Sequence, residues 1–271
     1  MTPDQLDEIA AFMLAAYGTS ALLERPSSRI HGFSLDDGYA VGHRVRDLRV
    51  ARGEAVVGRK IGGTNRATYH LTGATGPVWN FMYDTTVHDL AGGKGRFALG
   101  DFRQPRVEPE LALKLVRAPR AGMSETELLD CVGSVTHCYE IVHSPYSDWQ
   151  VNLSDVSAAY GLHQALLVGP WRDISANRAE WGERLKTLRI TLTGSNGEVR
   201  HGVGANAYGS PILALQAAVD DIGQHPDWTP IGVGEIVTTG TLTELLPVQS
   251  GDRWTTDIDG APLEGLSVDF Y

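Results

Sequence analysis

Cysteine is scarce in this chain, which has only Cys131 and Cys138 among its 271 residues. Their spacing is not that of a zinc site, and two cysteines cannot form the disulfide framework of a small secreted protein. We expect two buried, reduced thiols in a stretch that passes from helix to strand. A reducing compartment follows from this, and the cytoplasm is the predicted location.

Long apolar runs and an excess of positive charge are also missing. No stretch approaches the roughly 20 apolar residues of a membrane span, and an acidic start with Asp4, Asp7 and Glu8 predicts no signal peptide. The net charge is −10, with 23 Lys and Arg against 33 Asp and Glu. Phosphate binding needs clustered cations, so we expect neither nucleic acid nor a membrane as partner. An anionic substrate stays possible, because a bound cation can reverse the local field.

The first 53 residues have the spacing of amphipathic helices. Thr2, Pro3 and Gln5 together form a helix start, with a capping threonine and a proline at the first helical position. A second helix is predicted from Ser34 to Gly53. Its predicted buried residues are Tyr39, Val41, Val45 and Leu48. These features predict a helical N-terminal segment over residues 1–53.

From residue 54 onward, short β-branched and apolar runs alternate with glycine-rich turns, which is typical of strands. Ser124 and Ser210 are predicted to cap helices, and the Asn196-Gly197 pair predicts a hairpin. Strands and helices do not alternate strictly, so we predict an α+β fold in which residues 54–271 form one domain. The predicted strands are 55–61, 107–116, 135–143, 164–168, 187–194, 199–203, 234–239 and 253–258.

Three glutamates stand inside apolar strand-like runs. Glu108 and Glu110 are two residues apart, and side chains at that spacing share one face of a strand. Glu140 is a lone carboxylate in the run 138–142. One interpretation is that these are strand glutamates that reach water. The other is that they converge on a cation, since three carboxylates with open positions suit Mg²⁺ or Mn²⁺.

Lys60 is a fourth unusual residue, because it lies in an apolar strand and two glycines follow it closely. It could be a strand-end lysine whose ammonium reaches solvent. Near a cation-bound keto acid it could instead bind the carboxylate, stabilise an enolate or transfer a proton. His137 and His143 are each three residues from Glu140, so strand parity points them to the opposite face.

Five motifs follow one another along the chain. They are 57–62 (Val-Gly-Arg-Lys-Ile-Gly), 104–110 (Gln-Pro-Arg-Val-Glu-Pro-Glu), 139–142 followed by Asp148 and Trp149, 202–205 followed by Gly209-Ser210-Pro211, and 237–240 followed by Pro247-Val248 and Gly251-Asp252. In the order and spacing of these motifs, the chain resembles the 2-keto-4-pentenoate hydratase and 4-oxalocrotonate decarboxylase branch of the fumarylacetoacetate hydrolase superfamily.

The resemblance implies a mixed β-sandwich or roll with a helical N-terminal segment, followed by a catalytic domain over residues 54–271. It implies a Mg²⁺ or Mn²⁺ ion held by Glu108, Glu110 and Glu140, with Lys60 as the active-site lysine. The substrate implied is a small 2-keto acid whose oxygens complete the metal shell. The resemblance also implies a homo-oligomer, which can form a complex with the enzyme of a sequential step in the catabolism of aromatic compounds.

Two stretches depart from the pattern of this family. Val78 stands where hydratases of the branch have an aspartate that transfers a proton. The polar patch that lines the family's pocket is replaced by residues 156–163, in which Tyr160 and His163 are new polar candidates and Gly161 makes the pocket roomier. We predict Lys60 and His163 as catalytic, although a lone histidine is more often structural. The predicted substrate-binding residues are Arg59, Val78, Gln104, Tyr160 and Gly161.

The leading hypothesis is a metal-dependent lyase that acts on a 2-keto or 2-hydroxydienoic acid, in the manner of a hydratase and through a metal-stabilised enolate. The loss of an acid at Val78 equally fits a decarboxylase or tautomerase, since these reactions need no activated water. A hydrolase of C–C bonds in acylpyruvates and a non-catalytic binding or scaffold protein are further alternatives.

Overall fold

The computed structural model describes residues 1–66, 69, 76–147, 149 and 151–271. Asp148, which belongs to one of the five motifs, lies outside the described residues. Within them, no helix combines the length and the apolar character that crossing a membrane requires. The helices are α1 (Pro3–Ala16), α2 (Pro26–Arg29), α3 (Leu35–Ala51), α4 (Glu125–Cys131), α5 (Leu153–Ala158), α6 (Arg178–Thr187) and α7 (Pro211–Gly223).

Fourteen strands are formed by the described residues, and several of the sequence-predicted strands are confirmed with bounds shifted by one to three residues. The strands are β1 (Val56–Gly62), β2 (Val78–Tyr83), β3 (Val87–Asp89), β4 (Lys94–Phe97), β5 (Arg106–Leu115), β6 (Val132–Val142), β7 (His163–Val168), β8 (Arg172–Asp173), β9 (Arg189–Gly194), β10 (Val199–Val203), β11 (Ile236–Thr238), β12 (Leu246–Pro247), β13 (Arg253–Asp259) and β14 (Ser267–Phe270).

The strands form two sheets. Seven strands of the larger sheet follow the order β2-β1-β11-β5-β6-β7-β3, while β12 pairs with β5 and β8 pairs with β6. The smaller sheet has the order β10-β9-β13-β14-β4. Most pairs are antiparallel, but β1 with β11, β3 with β7 and β14 with β4 are parallel. This mixed pairing confirms the predicted α+β class with a mixed sheet system.

The larger sheet is curled. Met82 from β2 and Leu166 from β7 lie in one buried cluster with Ala112 and Cys138, although four strands separate β2 from β7 in the sheet order. The turn that follows β2 also reaches β7, where the amide of Leu166 donates to the carbonyl of Thr86. The strand faces inside the curl therefore enclose a narrow interior, which confirms the predicted roll.

The N-terminal segment confirms both predicted helix starts. Thr2 and Ser34 cap α1 and α3 through capping boxes, in which the side chain of the capping residue accepts from the third helical amide. Leu48 was predicted to be buried, but it is 41% exposed, because the buried face of α3 continues to Arg49 instead. The division into residues 1–53 and 54–271 stays a prediction.

Both cysteines are free and buried, at the end of α4 and within β6, as the sequence predicts. The reducing compartment inferred from them stays a prediction. Cys138 belongs to the cluster inside the curl, so its burial serves the packing of the larger sheet.

His137 connects the two sheets. Its Nδ1 lies 2.8 Å from the carbonyl oxygen of Glu110 in β5, and its Nε2 lies 2.9 Å from Thr256 Oγ1 in the smaller sheet. The carbonyl can only accept, so Nδ1 carries the hydrogen and Nε2 accepts from the threonine hydroxyl. Burial lowers the pKa of His137 to about 4, which keeps the ring neutral at neutral pH.

We expect His137 to make the fold sensitive to acid. Its pKa is lower in the folded than in the unfolded chain, so unfolding takes up a proton as the pH falls from 6.5 towards 4. This proton uptake would contribute up to about 1.4 kcal/mol per pH unit to the loss of unfolding free energy. In urea unfolding between pH 7 and 4.5, the unfolding free energy of His137→Gln should decline less steeply with falling pH than that of the wild-type protein. Equal slopes in both proteins would contradict this role.

Candidate metal centre and active site

Three glutamates lie together on the inner face of the curled sheet. In the register of β5 and β6, Glu108 is directly opposite Glu140, and Glu110 follows two residues along the same face. One carboxylate oxygen from each of the three lies within 4.8 Å of the other two. Glu110 and Glu140 are fully buried, while Glu108 is partly exposed at the end of the group. The structure thus brings together all three predicted metal ligands.

Hydrogen bonds orient two of the carboxylates and leave one oxygen of each without a donor. Glu110 Oε2 accepts from the amide of Gly240 at 3.0 Å, and Glu140 Oε1 accepts from His163 Nδ1 at 2.8 Å. Glu110 Oε1 and Glu140 Oε2 accept no hydrogen bond from the residues that the structure describes. A buried carboxylate oxygen without a partner is costly unless a cation binds it.

Electrostatics also indicates that a positive charge is needed here. Burial and the neighbouring Glu140 raise the pKa of Glu108 to about 7. Burial and the other two carboxylates raise the pKa of Glu110 well above its ordinary value. Burial opposes the ionisation of Glu140 too, but Lys60 and His163 outweigh it and lower its pKa. The cluster is therefore short of positive charge.

The residues present fit a hard divalent cation. All the converging ligand atoms are carboxylate oxygens, which Mg²⁺ and Mn²⁺ prefer. Two of these oxygens are buried without a donor, and three protein ligands leave positions for waters or for substrate oxygens. The three glutamates could therefore hold a cation that also binds an oxo acid.

Lys60 points from β1 to the same carboxylates. Its Nζ donates to the carbonyl oxygen of Gly161 at 2.9 Å and lies 3.4 Å from Glu140 Oε2. Burial opposes the charge on Lys60, but the three carboxylates outweigh this effect and keep its pKa above the ordinary value. Lys60 therefore carries an ammonium group at neutral pH, beside the place where a cation would bind.

A strained turn holds this lysine in place. Tyr160, Gly161 and Leu162 all have positive φ, at 46°, 66° and 62°. Only glycine adopts this conformation without strain. A Cβ on Gly161 would lie 2.8 Å from Lys60 Cδ and 3.0 Å from Asn80 Cβ, so glycine is also required for space. The turn thereby places the Gly161 carbonyl against the ammonium group.

His163 follows this turn and is 1% exposed. Both of its ring nitrogens are engaged, Nδ1 by Glu140 and Nε2 by Thr86 Oγ1 at 3.0 Å. The catalytic role of His163 stays a prediction, and the engagement of both ring nitrogens leaves neither free for a substrate. His163 thus contacts a candidate metal ligand, Glu140, through Nδ1.

The remaining predicted substrate-binding residues divide into two groups. Val78 pairs with Gly62 and shares the sheet face of Lys60, while Gly161 contacts Lys60 directly. The structure does not bring Arg59, Tyr160 or Gln104 to the carboxylates.

Each of these three has another environment. Arg59 points to the opposite face of β1, where its Nη1 lies 2.6 Å from Glu235 Oε2. Tyr160 packs edge-on against Tyr17, which directly follows α1, with ring centroids 4.6 Å apart. Gln104 is exposed in the loop before β5. Their roles in substrate binding are not supported by these positions.

Sequence reasoning missed three contributors to the site. The amide of Gly240 orients Glu110, and Thr86 holds the far side of His163. Asn80 lies opposite Lys60 in the register, and its Nδ2 donates to the carbonyl of Ser157 at 2.9 Å. Gly240 follows a strand inside one of the five motifs, which is a signal for a special backbone role. Thr86 and Asn80 carry no such signal.

No family model matches the chain. A 2-keto-4-pentenoate hydratase from Paraburkholderia xenovorans is 26% identical over 265 residues, which cover 96% of this chain and 93% of that protein. A 4-oxalocrotonate decarboxylase from a Pseudomonas species is 28% identical over 204 residues, which cover 75% of each chain. Both relatives are thus similar over most of their length.

Solved structures show the same fold. The 4-oxalocrotonate decarboxylase from Pseudomonas putida G7, complexed with magnesium and adipate, has a TM-score of 0.90 at 22% identity and covers 100% of this chain and 99% of its own. A fumarylpyruvate hydrolase from Pseudomonas aeruginosa, in complex with Mn²⁺ and pyruvate, has a TM-score of 0.61 at 18% identity and covers 78% of this chain and 88% of its own. The similarity to the decarboxylase covers the whole chain and therefore includes the N-terminal helices.

We expect Gly161→Ala to destabilise the fold more than Gly197→Ala. Both glycines have positive φ, which costs an L-residue about 1–2 kcal/mol. No atom of the described residues lies within 4 Å of a Cβ on Gly197, whereas a Cβ on Gly161 would collide with Lys60 and Asn80. Urea unfolding of the two variants would measure the difference. Equal losses of unfolding free energy would show that the turn can move away from Lys60 without cost.

Proposed function

We propose that this chain, as a member of the 2-keto-4-pentenoate hydratase and 4-oxalocrotonate decarboxylase branch of the fumarylacetoacetate hydrolase superfamily, is a metal-dependent lyase. It would act on a small 2-keto acid in the manner of a hydratase. Enzymes of both activities are among its relatives. The proposed substrate class is a 2-hydroxydienoic acid and its 2-keto tautomer.

One observation carries this proposal. Glu108, Glu110 and Glu140 converge at a buried position beside the ammonium group of Lys60, and two of their oxygens have no donor among the described residues. An α-oxo acid offers two adjacent oxygens that could complete such a ligand set. We propose Mg²⁺ or Mn²⁺ as the cation, since both accept carboxylate ligands and retain exchangeable waters. When bound, the cation would act as a Lewis acid on the 2-oxo group.

Lys60 would supply the second positive charge of the site. Its Nζ donates to the Gly161 carbonyl and lies 3.4 Å from Glu140 Oε2, so the ammonium group keeps donor capacity for a substrate. As an ammonium group, Lys60 would stabilise negative charge on the substrate or donate a proton from Nζ. In this proposal, Lys60 is the acid–base residue of the chain.

Val78 and Asn80 of β2 lie beside Lys60 on the same sheet face, where Val78 contributes an apolar side chain and Asn80 an amide. Val78 is 2% exposed and cannot transfer a proton. Asn80 Nδ2 donates to the Ser157 carbonyl, and its Oδ1 accepts from the amide of Phe81. A carboxamide does not ionise near neutral pH, so Asn80 cannot act as a proton-transferring acid either. We propose that hydration in this chain depends on Lys60 and on solvent water, without the aspartate that hydratases of the branch have.

Other features stay predictions. The preference for Mg²⁺ or Mn²⁺, the location in the cytoplasm, the homo-oligomer and a complex with a sequential enzyme of aromatic catabolism are all consistent with this proposal. Two buried free cysteines favour a reducing compartment. The exposed Phe12 and Leu22, at 53% and 46%, favour self-association through the N-terminal segment.

Activity should depend on the cation and on the three glutamates. With Mg²⁺, we expect the protein to remove the dienol absorbance of 2-hydroxypenta-2,4-dienoate without releasing CO₂. EDTA should abolish turnover and Mg²⁺ should restore it. Glu108→Gln should lower kcat by at least about 10²-fold, because a Lewis acid provides several kcal/mol. The exposed Glu127→Gln is the matched control.

Decarboxylation is the competing outcome of this assay. Release of CO₂ from 2-oxohex-3-enedioate would identify the chain as a decarboxylase of the same branch. No change in either substrate would contradict the proposed substrate class, and turnover that persists in EDTA would contradict the cation.

Lys60→Met should separate chemistry from metal binding. The substitution keeps the volume of the side chain but removes the ammonium group, so we expect kcat to fall about 10²–10⁴-fold while Mn²⁺ still binds. Lys114→Met, which removes an exposed lysine from the same strand face as the glutamates, should retain activity. Full activity of Lys60→Met would exclude an acid–base role for Lys60.

A further inference from the structure

We infer that His163 is a positioning residue, which fixes the carboxylate of Glu140 in the orientation that a divalent cation requires. The inference rests on the proposed function, because it concerns the cation that the three glutamates would hold. It assigns to His163 a role that needs no contact with the substrate. Three observations support it: the hydrogen bonds of the ring, the burial of the group, and the position of Lys60.

His163 fixes one of the two oxygens of Glu140. Its Nδ1 lies 2.8 Å from Glu140 Oε1, and a carboxylate oxygen can only accept, so Nδ1 carries the hydrogen. The bond stops the carboxylate from rotating about its terminal torsion. Oε2 is then left directed towards Lys60 and the other glutamates, without a donor among the described residues.

Thr86 fixes the imidazole from the other side. Its Oγ1 lies 3.0 Å from His163 Nε2 and also 3.0 Å from the carbonyl oxygen of Tyr83, so these two acceptors share its one hydrogen, while the oxygen accepts from the amide of Tyr83 at 3.2 Å. The backbone carbonyl of Thr86 accepts from Leu166 in β7 at 2.8 Å. The turn between β2 and β3 is thereby anchored to β7. The orientation of Glu140 is thus tied to the contact that closes the curled sheet.

Burial makes this arrangement sensitive to the loss of a single group. Thr86, His163 and Glu140 are 4%, 1% and 0% exposed, so bulk water does not reach them. Without the imidazole, Glu140 Oε1 would be a buried acceptor with no donor. The nearest positive group is the ammonium of Lys60, 3.4 Å from Oε2. We expect the carboxylate to turn both oxygens towards Lys60, in competition with the cation.

The test measures the binding of Mn²⁺ alone, through the electron paramagnetic resonance signal of the free ion. His163→Leu removes the donor, and its dissociation constant should rise about 10–100-fold, as is typical when the partner of a metal ligand is lost. His163→Asn should recover most of the affinity, because its amide nitrogen lies close to the position of Nδ1. Thermal unfolding followed by circular dichroism would show that both variants are folded.

His143→Leu is the matched control. His143 is also fully buried and also uses Nδ1, which lies 2.7 Å from the carbonyl oxygen of Arg103, but it does not contact the three glutamates. Its loss should leave the affinity for Mn²⁺ unchanged. If His163→Leu does not fold, Thr86→Val removes only the hydroxyl that holds Nε2, and it should also weaken Mn²⁺ binding.

The outcomes distinguish this inference from the proposed function. A wild-type protein that binds neither Mn²⁺ nor Mg²⁺ would overturn the proposed function. A wild-type protein that binds Mn²⁺, together with His163→Leu or Thr86→Val of equal affinity, would overturn the inference alone. The inference would also fall if folded His163→Asn bound Mn²⁺ as weakly as His163→Leu.

Discussion

The mutual repulsion of three converging carboxylates, two of them fully buried, is the constraint on which the rest of the site depends. Glu108, Glu110 and Glu140 share one face of two paired strands, where neither the strand register nor the curl of the sheet allows them to separate. Lys60 offers one positive charge against up to three negative ones. A second cation is therefore the simplest way to stabilise this part of the fold, and the same cation is what an oxo acid would bind.

The donors around the glutamates follow from this constraint. Gly240 brings a backbone amide to Glu110, and a Cβ on it would lie 1.9 Å from Thr64 Oγ1, so a side chain at this position could not be accommodated. The segment from residue 159 to residue 163 has two tasks. The Gly161 carbonyl holds Lys60, and His163 holds Glu140. One strained turn thus orients both the positive and the negative group.

Strand parity explains how much of this site the sequence could predict. It correctly places Glu108 with Glu110, and it directs His137 away from Glu140, towards the smaller sheet. Applied to β1, it also separates Arg59 from Lys60, and the structure indeed directs Arg59 to Glu235. The motif 57–62 favours Arg59 at the site, whereas the alternation of side chains along β1 directs Arg59 away from it.

Other parts of the fold lack a local signal. The strand β2 was missed because all its residues from Val78 to Tyr83 are buried, so neither face shows the polar alternation of a half-exposed strand. Thr86 is an ordinary turn residue in the sequence, and its role depends on His163, which comes to the same place from 77 residues away. Contacts of this kind depend on tertiary closure, which no local pattern encodes.

The two departures from the family pattern, Val78 and His163, can now be compared in physical terms. Val78 removes an acid from the wall beside Lys60, and His163 adds a titratable ring nearby, which at first suggests a replacement. The geometry argues against this, because Glu140 and Thr86 engage both ring nitrogens of His163. A ring held in this way can orient a metal ligand but has no free nitrogen for a substrate. Under the proposed function, proton transfer would therefore be left to Lys60 and to water.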